Sequence, residues 1–359
     1  MSNNSKLTLI VDGNWLFMSR MAVLLNKITN IDDLCSEIEL LMIKSMKIVL
    51  RNFSDIDNIV FVSDGGSWRK NIDISELEEP LKKLGICEVV GYKETRVHSD
   101  EIDWDYVFDK FNKFQQLLED NDITTCHEHY VEGDDWAWYW STTLNEQGTN
   151  VIIWTKDNDL KQLINTDSNG CFTVWWNKDN GLFKKLTNES EMNWFFNNEY
   201  SENERIMNNI IKKSSKVTDI NPREIVIEKI FMGDLGDNVL PIAMRHAKNP
   251  DSTKKFRISK KDINYDIDIN DYEAVKNYFI NLMNNKSYVN RIINDDINII
   301  LKHFDFNKKM VWLDKSQYPD EILNEMKKHN LIGISNNISV VESLLQSKAN
   351  DVEDILENI

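Results

Sequence analysis

Residues 7–14, LTLIVDGN, decide how this chain is read: a short run dominated by apolar residues stops at Asp12 and is followed at once by Gly13. A strand covered by helices on both faces must be largely apolar, and acids become tolerable only where it leaves the sheet. Comparable stretches follow: NIVFVSDGG at 58–66 with Asp64, HYVEGDD at 129–135 with Glu132, Asp134 and Asp135, and VIIWTKDND at 151–159 with Asp157 and Asp159. A fifth, FMGDLGDN at 231–238, carries Asp234 and Asp237, but the preceding PREIVIEKIFMG reads as helical. In an open α/β sheet the crevice beyond the carboxyl ends of the strands is where ligands bind. Acids at five element ends therefore read as one site assembled by folding.

Crowded carboxylates resist ionisation unless a cation compensates them. An all-oxygen donor set suits Mg²⁺ or Mn²⁺. Cys126-His127-Glu128-His129 is the nearest approach to a zinc set, but on a strand Cys126 and Glu128 face away from His127 and His129.

With 359 residues, 41% of them hydrophobic, the chain can build one large domain with an appendage, or two domains. No stretch has the length and apolarity of a membrane span, and MSNNSK leads straight into the first strand. The expectation is a monomer without membrane contact, in the cytoplasm. Cys35, Cys87, Cys126 and Cys171 form no CxxC pair and fit structural thiols of a reducing compartment. The net charge of −17 opposes phosphate binding in bulk. Residues 245–261, RHAKNPDSTKKFRISKK, set seven Lys or Arg against Asp251, enough for a local grip on a nucleic-acid backbone.

Apolar runs predict strands at 7–12, 58–63, 86–90, 124–131 and 150–154, and helices at 14–28 and 32–52. An amphipathic helix is expected over WDYVFDKFNKFQQLLED (104–120) and a Trp-rich one after Asp134. Residues 171–176 and 182–186, joined through Asn180-Gly181, read as a hairpin. Beyond 188 the pattern turns helical and polar, with one short apolar run, MVWL at 310–313. The fold class is α/β: a mainly parallel central sheet flanked by helices at 1–187, then a mainly helical part at 188–359. Trp136, Trp138, Tyr139 and Trp140 read as core, because bulky residues occupy several faces of their helix.

In order, these motifs resemble the 5′-nuclease family of flap endonucleases, 5′-to-3′ exonucleases and phage RNase H enzymes, the phage RNase H layout most closely, with a PIN-like core. The resemblance covers residues 7 to about 240: Val11-Asp12-Gly13, then Asp64 with Trp68-Arg69-Lys70, Glu132-Gly133-Asp134-Asp135, Asp157-Asn158-Asp159-Leu160-Lys161-Gln162-Leu163 and Gly233-Asp234-Leu235-Gly236-Asp237-Asn238. A Tyr92-Lys93-x-x-Arg96 stretch stands at the base of a candidate helical arch at about 92–122.

The resemblance implies a two-metal hydrolase cleaving 5′ flaps, nicked duplex DNA or the RNA of RNA–DNA hybrids during replication and leaving a 5′-phosphate. It assigns Asp12, Asp64, Asp134 and Asp157 to the first Mg²⁺, with Glu132 or Asp135 assisting, and Asp159, Asp234 and Asp237 to the second; Mn²⁺ can substitute. Lys93 and Arg96, expected one helical turn apart, would clamp the scissile phosphate, and Tyr92 would stack on a displaced base. Arg69, Lys70, Arg245, Lys248, Lys254, Lys255, Arg257, Lys260 and Lys261 are candidate nucleic-acid contacts. A single-strand-binding protein and a sliding clamp are candidate partners.

Two departures stand out. The family's glycines after its fifth motif are replaced by Val239-Leu240-Pro241-Ile242-Ala243, which removes the usual frame of a K⁺ site. The arch candidate is acidic where a threaded strand would call for cations. A Toprim site accounts for Asp157, Asp159 and Glu132 but leaves Asp12, Asp64 and 233–238 unexplained. A PIN-type ribonuclease would be shorter, and a non-catalytic junction-binding protein would carry damaged metal motifs.

Overall fold

The computed structural model describes residues 6–83, 91–94, 102–166, 171–177, 180–184, 201–242, 244–246, 255–258, 260–284, 296–332 and 337–357. Along the chain run β1 (Lys6–Asp12), α1 (Gly13–Leu24), α2 (Ile31–Asn52), β2 (Ile56–Val62), α3 (Ser75–Lys83), α4 (Trp104–Glu119), β3 (Thr124–Cys126), α5 (Gly133–Glu146), β4 (Thr149–Trp154), β5 (Asn165–Thr166), β6 (Phe172–Trp176) and β7 (Asn180–Lys184). There follow α6 (Ser201–Lys213), β8 (Lys216–Ile220), α7 (Pro222–Met232), β9 (Met244–His246), β10 (Lys255–Arg257), α8 (Tyr272–Asn284), α9 (Ile297–Val311), α10 (Asp320–Met326) and α11 (Asn337–Glu357). Two compact units emerge, each drawn from interleaved segments: Met1–Gly66, His98–Ile220 and Asp320–Ile359 form one, Ser67–Val97 and Asn221–Pro319 the other. Neither ends at the expected boundary near 187.

The first unit is built on a sheet of order β3-β2-β1-β4-β6-β7-β8, with β5 paired to β6 off this path. From β3 to β6 all pairings are parallel; β7 is antiparallel to β6 and parallel to β8. Because β1 pairs β2 on one side and β4 on the other, the strand order reverses beside it, the arrangement that opens a crevice at the carboxyl ends. Leu7, Leu9 and Val11 bury one face of β1 in a core shared with α1, α2, α4, α6 and α11. Ile10 and Val60, also fully buried, face the other side, where α5 packs on β1, β2 and β4. Trp136, Trp138 and Trp140 of α5 are buried, as core residues should be. Asn30 caps α2 by accepting from the backbone N–H of Asp32 and Asp33. Cys35, Cys126 and Cys171 are buried thiols.

The second unit packs α7, α8 and α9 around Ile227, Ile230, Phe231, Phe279, Ile300 and Phe304. The Phe231 and Phe279 rings stack at 5.3 Å.

Several elements differ from their sequence reading. The strand expected at 124–131 ends at Cys126, and Val131 N–H instead closes a turn onto Glu128 O. Of MVWL, Met310 and Val311 are buried in the last turn of α9, Trp312 is its cap and Leu313 follows. Asn180-Gly181 lies inside β7, and Asn177 and Asn180 exchange backbone bonds. The parallel strand β8 escapes sequence reading because its residues are half-buried or exposed. Over 104–119 of the arch candidate, Val107, Phe111, Phe114 and Leu118 of α4 are buried in the first core, with Phe111 4.5 Å from Phe17 ring to ring. Its acids form the solvated face of a packed helix. The expected strand at 86–90 lies outside the described residues. No described helix is long and apolar enough to cross a membrane.

Candidate metal centre

Asp12 is both the last residue of β1 and the N-cap of α1. Its Oδ1 accepts from Trp15 N–H at 2.9 Å and its Oδ2 from the Thr155 hydroxyl at 2.6 Å. Burial pushes this carboxyl up from 3.8 to about 7, with the charges of Asp157 and Asp64 adding to the rise against the two hydrogen bonds. Asp64, two residues past β2, is held from two directions. Its Oδ1 accepts from Gly133 N–H at 2.7 Å, and Asn14 both donates to its Oδ2 at 3.0 Å and accepts from its backbone N–H at 2.9 Å.

These contacts draw the N-terminus of α5 onto the same end of the sheet. Glu132 caps that helix in a reciprocal box with Asp135, whose Oδ2 accepts from Glu132 N–H at 3.2 Å. Asp135 is fully buried, so its carboxylate serves the helix end, whereas Asp134 is half-buried. Beyond β4, Thr155 accepts from Asp157 N–H at 2.8 Å while donating to Asp12. Asp157 Oδ1 accepts from Asp159 N–H at 2.8 Å, and Trp175 Nε1 donates to Asp157 O at 2.7 Å, which pins the loop to β6. Within the first unit, therefore, Asp12, Asp64 and Asp157 share one end of three adjacent strands, with Glu132 and Asp134 beside them. Sequence reading missed Asn14 and Thr155; Asn14 stands two residues past Asp12, and Thr155 directly follows β4.

In the second unit, α7 ends at Gly233, whose φ of 68° is left-handed. A Cβ there would fall 2.3 Å from Val239 O, so only glycine closes the loop in which Asp234 and Val239 exchange both backbone bonds at 2.8 Å. Asp234 Oδ2 accepts from Lys229 Nζ at 2.7 Å, and its Oδ1 from Gly236 N–H at 2.9 Å. Burial would raise this carboxyl, but the Lys229 charge and these bonds outweigh it and hold Asp234 below the usual range. Lys229 was also missed, being separated from its acid by a helix end.

Tyr92 and Lys93 clip onto the same loop. Lys93 N–H donates to Asp237 O at 3.1 Å and Asn238 Nδ2 to Gly91 O at 2.9 Å. The Lys93 ammonium lies 3.8 Å from Asp237 Oδ2 and 4.9 Å over the Tyr92 ring. Lys93 has a φ of 58°, so the expected helical spacing to Arg96 does not begin there. Arg96 itself is outside the described residues.

The remaining cation candidates separate. Arg69 is 2% exposed, donates from Nε to Lys309 O at 3.3 Å and lies against Trp68 at 4.6 Å, which makes it an internal guanidinium instead of a surface contact. Lys70 and Lys261 are exposed, and Lys260 is exposed but pairs with Glu228. Arg245, Lys255 and Arg257 lie on the antiparallel ribbon β9–β10; Lys248 and Lys254 are outside the described residues. Val239 and Ile242 bury themselves in the second core, and Asn307 Nδ2 donates to both Ile230 O and Leu240 O at 2.8 Å. The stretch where the family carries glycines is thus a packing element here.

A parallel sheet with its acids gathered at the carboxyl ends beside the order reversal has the fold of the 5′ nucleases. Among solved structures, the D15 protein of T5 crystallised with metal ions is similar over 94% of this chain and 99% of its own, at 14% identity and a TM-score of 0.50. The T5 5′-exonuclease with zinc bound matches over 96% of this chain and 99% of its own, also at 14% identity and a TM-score of 0.50. No family model and no curated protein matches the sequence.

Proposed function

We propose that this chain is a metal-dependent 5′ nuclease. The observation that carries the reading is the convergence of Asp12, Asp64 and Asp157 at one end of three adjacent strands, with Glu132 and Asp134 beside them. A divalent cation compensates carboxylates crowded in this way, and the all-oxygen donor set fits Mg²⁺ or Mn²⁺. Asp12, Asp64, Asp134 and Asp157 are assigned to a first ion, with Glu132 at their margin. Asp159, Asp234 and Asp237 are assigned to a second by the resemblance alone. When bound, such a pair supplies an activated water and compensates the charge of an in-line displacement.

The protein's own groups prepare this chemistry. Thr155 and Trp15 aim the Asp12 oxygens, while Asn14 and Gly133 fix those of Asp64. The Lys93 ammonium, held near Asp237 and against Tyr92, is a cation for the scissile phosphate, with Arg96 as its companion. The substrates are 5′ flaps, nicked duplex DNA and RNA–DNA hybrids, the products carry a 5′-phosphate, and a single-strand-binding protein or sliding clamp is the expected partner.

Incubating end-labelled 5′-flap DNA and an RNA–DNA hybrid with Mg²⁺ tests the reading. Cleavage of either substrate with a 5′-phosphate product, and its loss by about 100-fold in Lys93→Ala, is expected. Binding without cleavage in both Mg²⁺ and Mn²⁺ would favour a non-catalytic junction binder.

A further inference from the structure

The link between β3 and α5 carries an aromatic pair that the acid site does not use. His129 and Tyr130 are both exposed, Tyr130 by 47%, and their ring centroids are 3.7 Å apart. Tyr130 has a φ of 69°, a left-handed conformation that is an outlier for a bulky aromatic residue. Backbone bonds hold it there: Tyr130 N–H donates to Gly65 O at 3.1 Å, and Gly65 N–H donates to Val131 O at 2.9 Å. The approach depends on Gly65, where a Cβ would fall 1.9 Å from Glu128 O. The Tyr130 backbone is thereby fixed to the residue that follows Asp64, two residues before Glu132. So exposed a ring recovers little by its own burial to offset the strained backbone, the pattern of a position held for function.

We propose that Tyr130, backed by His129, is a stacking platform for a nucleobase in a single-stranded segment of the substrate, beside Asp64 and Glu132. The proposal rests on the nuclease reading and deepens it. A chain of net charge −17 gains little from long-range attraction to phosphates, so uncharged stacking carries more weight in holding the strand. Stacking accepts any base, which suits an enzyme selecting shape over sequence.

The test titrates wild type, Tyr130→Gly and Tyr130→Phe with a 5′-flap DNA bearing 2-aminopurine in the flap, in Ca²⁺ to hold cleavage. Glycine suits a φ of 69° and removes only the ring, and thermal unfolding checks that the variant folds. Tyr130→Gly should bind about ten-fold more weakly and lose the quenching of 2-aminopurine that wild type and Tyr130→Phe both show. Unchanged affinity and quenching in Tyr130→Gly overturns the platform and leaves the nuclease reading standing. Equal loss in Tyr130→Phe also overturns it, since the hydroxyl and not the ring face would then be responsible. A wild type that binds neither flap nor single strand removes both readings together.

Discussion

Asp12 concentrates the site's electrostatics. An unfolded Asp releases its proton near 3.8 and the folded one near 7, so between those values the folded, metal-free protein keeps a proton that the unfolded chain has lost. The contribution of Asp12 to the stability of the metal-free protein should therefore fall as pH rises from about 4 to 7, and Asp12→Asn should remove that contribution from the pH dependence of thermal unfolding. Mn²⁺ binding requires the proton to leave. Its affinity should weaken as pH drops below about 7, with proton release visible by calorimetry in buffers of different ionisation enthalpy. The Thr155 hydroxyl that aims Asp12 Oδ2 is nearly isosteric with a valine methyl, and Thr155→Val should lower Mn²⁺ affinity about ten-fold while preserving the fold.

At the scale of elements, the loop after α7 depends on one conformation. Gly233→Ala places a Cβ against Val239 O at a left-handed φ, and should cost about 1–3 kcal/mol or more, read as a lowered midpoint in urea with the slope unchanged. The strands that matter for the site were legible because β1, β2 and β4 are buried on both faces and must be apolar, which also marks the acids at their ends. Gly233 and Asp234 were legible as a motif, although the strain that demands the glycine was not. Legibility failed where burial is partial or the apolar run belongs to something else. The edge strand β8 has only exposed and half-buried positions, MVWL is a helix end, and the period of α4 does not say what its apolar face, with Phe111 and Phe114, packs against. Lys229, Asn14 and Thr155 act through hydrogen bonds to motif acids, and no periodicity records such partners.

For the molecule as a whole, acid stability should be set partly by His303 in the second unit. Burial holds its imidazole neutral down to about 4, against the opposing hydrogen bond to Leu240, while the unfolded residue takes its proton near 6.5. The unfolded state then binds more protons at this residue in that window, so its contribution, opposite in sign to that of Asp12, is lost as pH falls from about 6.5 to 4. His303→Gln should reduce this dependence in pH-scanned thermal unfolding, whatever it does to the midpoint at neutral pH.

The chain's activity is the larger question, and it turns on Asp64, held between the ends of β1, β2 and α5 by Asn14 and Gly133. Asn at this position keeps the shape and much of the hydrogen bonding but removes the charge. The most direct measurement is single-turnover cleavage of an end-labelled 5′-flap DNA in Mg²⁺ by wild type and Asp64→Asn, with flap binding measured separately in Ca²⁺. The account predicts cleavage by wild type, a loss of at least about 100-fold in Asp64→Asn, and flap binding by both. A wild type that binds the flap and never cuts it, or an Asp64→Asn variant that cuts at the wild-type rate, would contradict it.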